Sequence, residues 1–338
     1  MPVPYVDEIT YSVVCRFMAQ WGLQDVRGLL EQLLGVRVFA THPLSPLGIL
    51  PIANAAFAGY RDPVSQAVKH HTLLPYFNAF GHKPDRARVK AVLSQHRNAA
   101  LSQLVSAGPR AYGMPSHLRI CVECATEQRR TRREAFWTRR HQLPGLHHCP
   151  EHHTVLLLSP VPLEVDTRFQ LVPLDARTIA ASRIPQESPL LGARLERKVA
   201  AHSLVALSSG KTNACDTSPS AYRAIIGMLG YAGRRGELRM QEFETSFLRW
   251  LGSNGCIPQR VGSSRWWLRL VTEIGGATTP LQHLLLQEFI RVRWRKSREV
   301  QPELFPFALP WSATPPPREG TGASEAAVEK VSHATLTL

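Results

Sequence analysis

The chain predicts a mainly α-helical protein interrupted by one small β-knuckle segment. Three observations carry that expectation. Apolar residues recur at helical spacing towards both ends of the 338 residues. Between them, residues 121–153 read CVECATEQRRTRREAFWTRRHQLPGLHHCPEHH and gather three of the six cysteines and five of the fourteen histidines. A short apolar run, Val155 to Leu158, follows at once and suits a strand.

The elements follow in order. Ile9, Val13, Phe17 and Trp21 recur every four residues and line one helix face, with Asp7 ahead as the N-cap. Leu29, Leu30, Leu33 and Leu34 mark a short helix closed by Gly35. Residues 85–106 carry Val89, Val92, Leu93, Leu101 and Leu104 among polar residues, as a further helix would. After the cysteine segment, LSSGKTNACDTSPS reads as a linker. Tyr222, Ile225, Ile226 and Leu229 restore helical spacing until Gly230 breaks it. Met240, Phe243, Phe247, Trp250 and Leu251 form the next face; Trp267, Leu270, Val271 and Ile274 form a third. Leu281, Leu284, Leu285 and Phe289 open a fourth, which ends in RVRWRKSR.

Net charge is +14 and the apolar fraction is 44%. Such a balance points to a polyanionic partner, nucleic acid first and an acidic membrane surface second. No run of eighteen apolar residues spans a membrane, and the N-terminus lacks the basic and apolar regions of a signal peptide. A cytoplasmic protein is expected, in which reduced cysteines serve metal or packing.

Cys121 and Cys124 form C-x2-C, and Cys149 and His152 form C-x2-H, with twenty-four residues between the pairs. Each pair curls its ligands towards one point, and two pairs close a tetrahedron. Three thiolates and an imidazole leave no open position, so one structural Zn2+ is expected. His147, His148 and His153 compete as ligands, and spacing favours His152. Cys15, Cys215 and Cys256 lie outside the pattern as small core or loop residues.

The chain therefore divides into a helical domain over 1–115, a CCCH zinc module over 116–160 and a connector and linker over 161–220. A helical, helix-turn-helix-like domain over 221–300 and a disordered tail over 301–338 complete it. Between the ligand pairs, Arg129, Arg130, Arg132, Arg133, Arg139 and Arg140 interleave with Phe136 and Trp137, and guanidinium forks suit phosphate oxygens. Arg140 and His141 read as the end of an extended segment that turns at Pro144-Gly145. Near Gly230, Arg234, Arg235 and Arg239 are further phosphate-contact candidates. The following EFETSFLRWLG is either a base-reading or a packing helix, since phosphates repel Glu242 and Glu244. No H-E-x-x-H, spaced acid triad or phosphate loop supports an enzyme; Lys211 follows Gly210, but Val205 stands where a phosphate loop needs its first glycine.

The string FWTRRHQLPGLHHCPEHHTVLL, preceded by ICVEC, resembles the zinc signature of the TniQ/TnsD family. Phe136, Trp137, Arg139, His141, Gln142, Leu143, Pro144, Gly145, Cys149, Pro150 and His152 match it. The family's usual Cys-Pro-x-Cys is here Cys-Val-Glu-Cys, which keeps both ligands. Pro4, Glu8, Ser12 and Arg16 fit the family's opening helix. AYRAIIGMLGY, EFETSFLRWLG, WWLRL and PLQHLLLQEFI resemble its longer, TnsD-type branch. The resemblance implies a DNA-binding, non-catalytic target-site selector for a bacterial transposon, recruiting an AAA+ ATPase regulator and a transposase complex. Ser12 and Arg16 would dock a protein partner, while the C-terminal helices supply site preference. The alternatives are an adaptor on an RNA-guided effector complex and a zinc-containing transcription regulator.

Overall fold

The computed structural model describes residues 1–22, 44, 49–80, 112–163, 171–210, 217–256, 265–272 and 278–300. The helices expected at Leu29 to Gly35 and over 85–106, together with Lys211, Cys215, Ile274 and the tail over 301–338, lie outside those residues. In chain order the elements are α1 (Thr10–Trp21), α2 (Ile49–Ala56), α3 (Pro63–His71), α4 (Leu74–Asn78), β1 (His117–Ile120), α5 (Val122–Arg132) and β2 (Leu157–Pro162). They continue with α6 (Ala176–Ala180), α7 (Ala193–Ser209), α8 (Pro219–Ile226), α9 (Met240–Ser253), α10 (Trp266–Val271) and α11 (Pro280–Val300). Among the described residues the fold is mainly helical, with one antiparallel strand pair, β1 against β2. No helix among the described residues is long and apolar enough to cross a membrane.

α1 corrects two expectations. Its N-cap is Ile9, without a side-chain bond, while Asp7 holds a φ of 65° and commits its carboxylate to arginines. The four-residue stripe is only partly inward: Ile9 and Val13 are buried, but Trp21 is 70% exposed. Instead, every residue from Thr10 to Arg16 is buried, because the first turns of α1 are wrapped by the metal-type segment on one side and α3 on another. Gly22, at a φ of 63°, closes the helix with a left-handed cap.

The expected strand after the ligand pairs begins later, at Leu157. Val155 instead bridges His148, and the Cys149 and Leu156 amides donate to Thr154 and His147 carbonyls at 2.7 and 2.9 Å. The loop thus closes on itself before it can pair with β1. The segment expected to be extended at Arg140 is a single 3-10 turn, Arg140–Gln142. Gly145 does turn the chain, at a φ of 78°, and its amide reaches the Gly113 carbonyl.

The stretch read as a connector contains α7, whose Leu195, Val199, Ala206 and Leu207 are buried. At its start the chain crosses the end of α9 so closely that a Cβ on Gly192 would lie 2.4 Å from the Asn254 carbonyl oxygen. The Gly192 amide donates to that same oxygen. Between α8 and α9 the chain makes a π-turn, with Gly230 at a φ of 90°, then a loop bridged from Ala232 to Leu238. That is longer than the three- or four-residue turn of a helix-turn-helix.

Among the described residues, apolar side chains gather in two clusters. The smaller joins Ile9, Tyr11 and Cys15 to Leu118, Ile120, Ala125 and Trp137. The larger runs from Phe57 and Tyr76 through Cys121, Cys124 and Cys149 to Leu195, Tyr222, Phe247 and Phe289. The expected N-terminal, cysteine-rich and C-terminal regions therefore share one core.

Candidate metal centre

Cys121 follows directly on β1, and its sulfur accepts from the Cys124 amide as the N-cap of α5. The positive end of the helix dipole thus faces the thiol pair, which favours thiolate. The second pair repeats the knuckle: the His152 amide points at the Cys149 sulfur at 3.5 Å. His153, at a φ of 60°, carries the chain out of that turn.

The four expected ligands converge. The Cys124 and Cys149 sulfurs are 3.7 Å apart, and His152 Nδ1 lies 3.6, 3.2 and 3.7 Å from Cys121, Cys124 and Cys149. A tetrahedron with arms of about 2.3 Å has edges of about 3.8 Å, so the cluster has the right size for a four-coordinate ion. The sulfurs are buried, and hydrogen bonding from Cys124 and Cys149 holds the Cys121 thiol well below its usual range. The Cys3His group can hold a metal ion. The competing histidines are placed elsewhere; His148 Nδ1 is 2.9 Å from Glu196 Oε2.

The residues around the ligands explain the motif between them. His141 is fully buried, and burial holds its imidazole down to about 4, hence neutral. Its Nε2 is 3.7 Å from the Cys149 sulfur and its Nδ1 is 2.8 Å from the Thr138 hydroxyl, so the proton belongs on Nε2, facing the thiolate. Gln142 acts as a substitute strand: Oε1 accepts from the Arg119 amide and Nε2 donates to the Arg119 carbonyl, both at 2.9 Å. The Arg119 guanidinium donates to the Leu143 and Leu146 carbonyls, and burial lowers it to about 9. Glu196 of α7 accepts from the His147 and His148 amides at 2.6 and 2.7 Å and so fixes the loop that carries Cys149. Arg119 and Glu196 were not singled out by sequence; nothing in their local spacing separates them from surface charges.

Several expected contact residues turn inward. Ser12 is 1% exposed and accepts from the Trp137 amide. Arg16 is 6% exposed and pairs with Glu8 and Glu134, both at 2.8 Å, beneath the Tyr5 ring. They fasten α1 to the cysteine segment and present nothing to a docking partner, because both are buried against residues of this chain. Arg139 likewise leaves the expected DNA-contact set: its Nε meets Asp7 Oδ1 at 3.0 Å and its Nη1 donates to the Lys69 and Thr72 carbonyls. Arg140 shares Asp7 and also pairs with Glu151 at 2.7 Å. By contrast, Arg129, Arg130, Arg132 and Arg133 lie exposed along the end of α5, and Arg234, Arg235 and Arg239 lie exposed in the loop before α9.

Glu8 gives this joint a pH signature. Burial, only partly offset by Arg16, raises its carboxyl from 4.5 to about 7. Between those values the unfolded chain releases the proton and the folded chain keeps it, so stability falls as pH rises through that window. Relative to Glu8→Gln, the wild type should lose about 3 kcal/mol between pH 4.5 and 7. His71, held down to about 4 by burial, titrates with the opposite sign but is present in both proteins and cancels in the difference. Urea unfolding of both proteins at pH 5 and pH 8 measures it; a pH-independent difference would show that Glu8 stays ionised.

Residues 1–156 match the family described as TniQ. A stretch of 160 residues is 31% identical to the Escherichia coli protein named Transposon Tn7 transposition protein TnsD, covering 47% of this chain and 31% of that protein. The match thus spans less than a third of the relative. The matched region contains all four ligands, the histidine and glutamine behind them, and the α1 joint. Over residues 1–156, this chain is similar to the TniQ family.

Proposed function

We propose that the protein is a DNA-binding selector of target sites for a bacterial transposon, working by recruitment and without catalysis. It holds target DNA and presents it to an AAA+ ATPase regulator, which brings the transposase. One structural Zn2+ occupies the Cys3His cluster, as the closed donor set favours. The named role of the Escherichia coli relative in transposition supports the class.

The observation that carries the DNA contact is the arginine run on α5. Arg129, Arg130 and Arg132 are exposed in the last turns of a helix whose other end carries Cys121 and Cys124, and Arg133 is exposed as its C-cap. Arg130 keeps only a surface pair with Glu127, which phosphate can displace. A rigid anchor with exposed arginines suits backbone contact, which positions a protein without reading sequence. Ser12 and Arg16 act on any protein partner only through the segment they fasten.

Replacing the four arginines with alanine should flatten the slope of log K against log salt by about 0.9 for each phosphate no longer neutralised. Equilibrium binding to duplex DNA between 50 and 200 mM salt reads this, roughly the range over which the effect is large. An unchanged slope would make the run a solvated face. Point variants suit the test better than half-chains, because the large core draws on residues from Ala53 to Trp294.

A further inference from the structure

α9 has two unlike faces. Phe243, Phe247 and Leu251 are buried, with Phe247 stacked edge-on to Phe289 at 5.2 Å and Trp266 at 5.7 Å. Opposite them, Gln241, Thr245 and Arg249 stand exposed at i, i+4 and i+8, on one line along the helix. Those are side chains that read base edges: arginine on guanine, glutamine on adenine, threonine on the thymine methyl.

The objection to α9 as a DNA helix is its two acids, and the structure answers it. Glu242 pairs with Arg239 at 2.9 Å, and Glu244 Oε1 accepts from Arg265 Nε at 2.9 Å. Both carboxylates are matched by arginines from outside the helix. Arg293 of α11 reaches across to the Tyr231 and Ser246 hydroxyls at 2.7 and 2.8 Å. It thereby lines an open notch of about 410 Å³ with Gln241, Thr245 and Arg249. Arg234 and Arg235 are exposed in the loop that leads into the helix N-terminus, where anions are favoured.

We propose that α9 enters the major groove of double-stranded DNA, with Gln241, Thr245 and Arg249 on base edges and Arg234, Arg235 and Arg293 on flanking phosphates. The inference rests on the DNA-binding reading above and assigns its sequence preference to one helix. From Gln241 to Arg249 the helix rises about 12 Å, which spans three to four base pairs at about 3.4 Å each. The preferred site therefore contains a guanine and an adenine about that far apart.

The test is selection of bound sequences from a random duplex pool by the intact, zinc-loaded chain, followed by binding to the selected site. Wild type should enrich a short motif. Arg249→Ala should weaken that site about ten- to hundredfold and relax one position only. Arg249→Lys keeps the charge and should retain binding to random DNA while losing the same preference. Gln241→Ala should relax a different position. Equal melting temperatures among these surface variants confirm that folding is intact.

A motif unchanged in all three variants overturns the assignment to α9 and leaves the DNA-binding reading standing. So does binding by wild type without any preference. Uniform weakening at every sequence makes the face a phosphate contact only and overturns base reading. No binding of DNA by wild type overturns both readings and turns the face towards an acidic protein partner.

Discussion

Stripping the metal is expected to unfold the whole chain, not only the loop that binds it. Cys121, Cys124 and Cys149 are members of the large core, beside Leu143, Leu146, Leu156, Leu191 and Leu195. Without an ion, hydrogen bonding with Cys121 pushes the Cys124 and Cys149 thiols up, and the four donors are left in that core without the ion they converge on. Structural zinc contributes about 10–16 kcal/mol in small sites, against a total stability of about 5–15 kcal/mol for a typical domain. Cys149→Ser should behave like the stripped protein, because serine is too short and too weak a donor to complete the tetrahedron. Mass spectrometry of protein purified without chelator should give one zinc per chain. Far-ultraviolet circular dichroism with and without chelator should then show cooperative loss of helix. Folded, metal-free protein with a full helical signal would remove the ion from the account of stability.

Asp7→Ala should cost about 3–5 kcal/mol although it removes only one small side chain. The Asp7 carboxylate meets Arg139 at 3.0 Å and Arg140 at 2.8 Å, and it also accepts from the Arg140 amide. Its loss leaves the Arg139 guanidinium buried with only carbonyls for company. Alanine also fits poorly at a φ of 65°, where asparagine is tolerated. Asp7→Asn should therefore cost clearly less than Asp7→Ala, by keeping one acceptor and the backbone geometry. Denaturant titration of the three proteins gives the order. A loss below about 1 kcal/mol in Asp7→Ala would mean that Arg139 finds water or another acid.

The metal ligands were legible because a ligand pair is local: Cys121 with Cys124, and Cys149 with His152, announce their geometry through spacing alone. The apolar faces of α8, α9 and α11 were legible for the same reason. The arginines were not. Arg139 and Arg129 look alike in sequence, ten residues apart among the same neighbours, yet one is buried on Asp7 and the other is exposed. What separates them is a counter-charge 132 residues away, which no local pattern records. Ser12 and Arg16 do share a helix face, but their partners, Trp137 and Glu134, lie more than a hundred residues on. α7 was obscured because its short apolar stripe precedes a linker-like run, and Glu196 within it gains its meaning only from the loop it grips.

The shared core also decides what can be taken apart. A zinc finger can be lifted from its parent and grafted elsewhere, since its ion closes a fold that needs no outside wall. Here the core that holds the cysteines also draws on other segments: Leu195 and Val199 from α7, Phe57 from just after α2, and Phe247 and Phe289 from α9 and α11. A peptide of residues 116–160 would carry the ligands and leave most of those surfaces behind. The cysteine segment is thus an internal brace and not a portable cassette. Recombination that exchanges it for a foreign counterpart must carry matching helices from both ends of the chain.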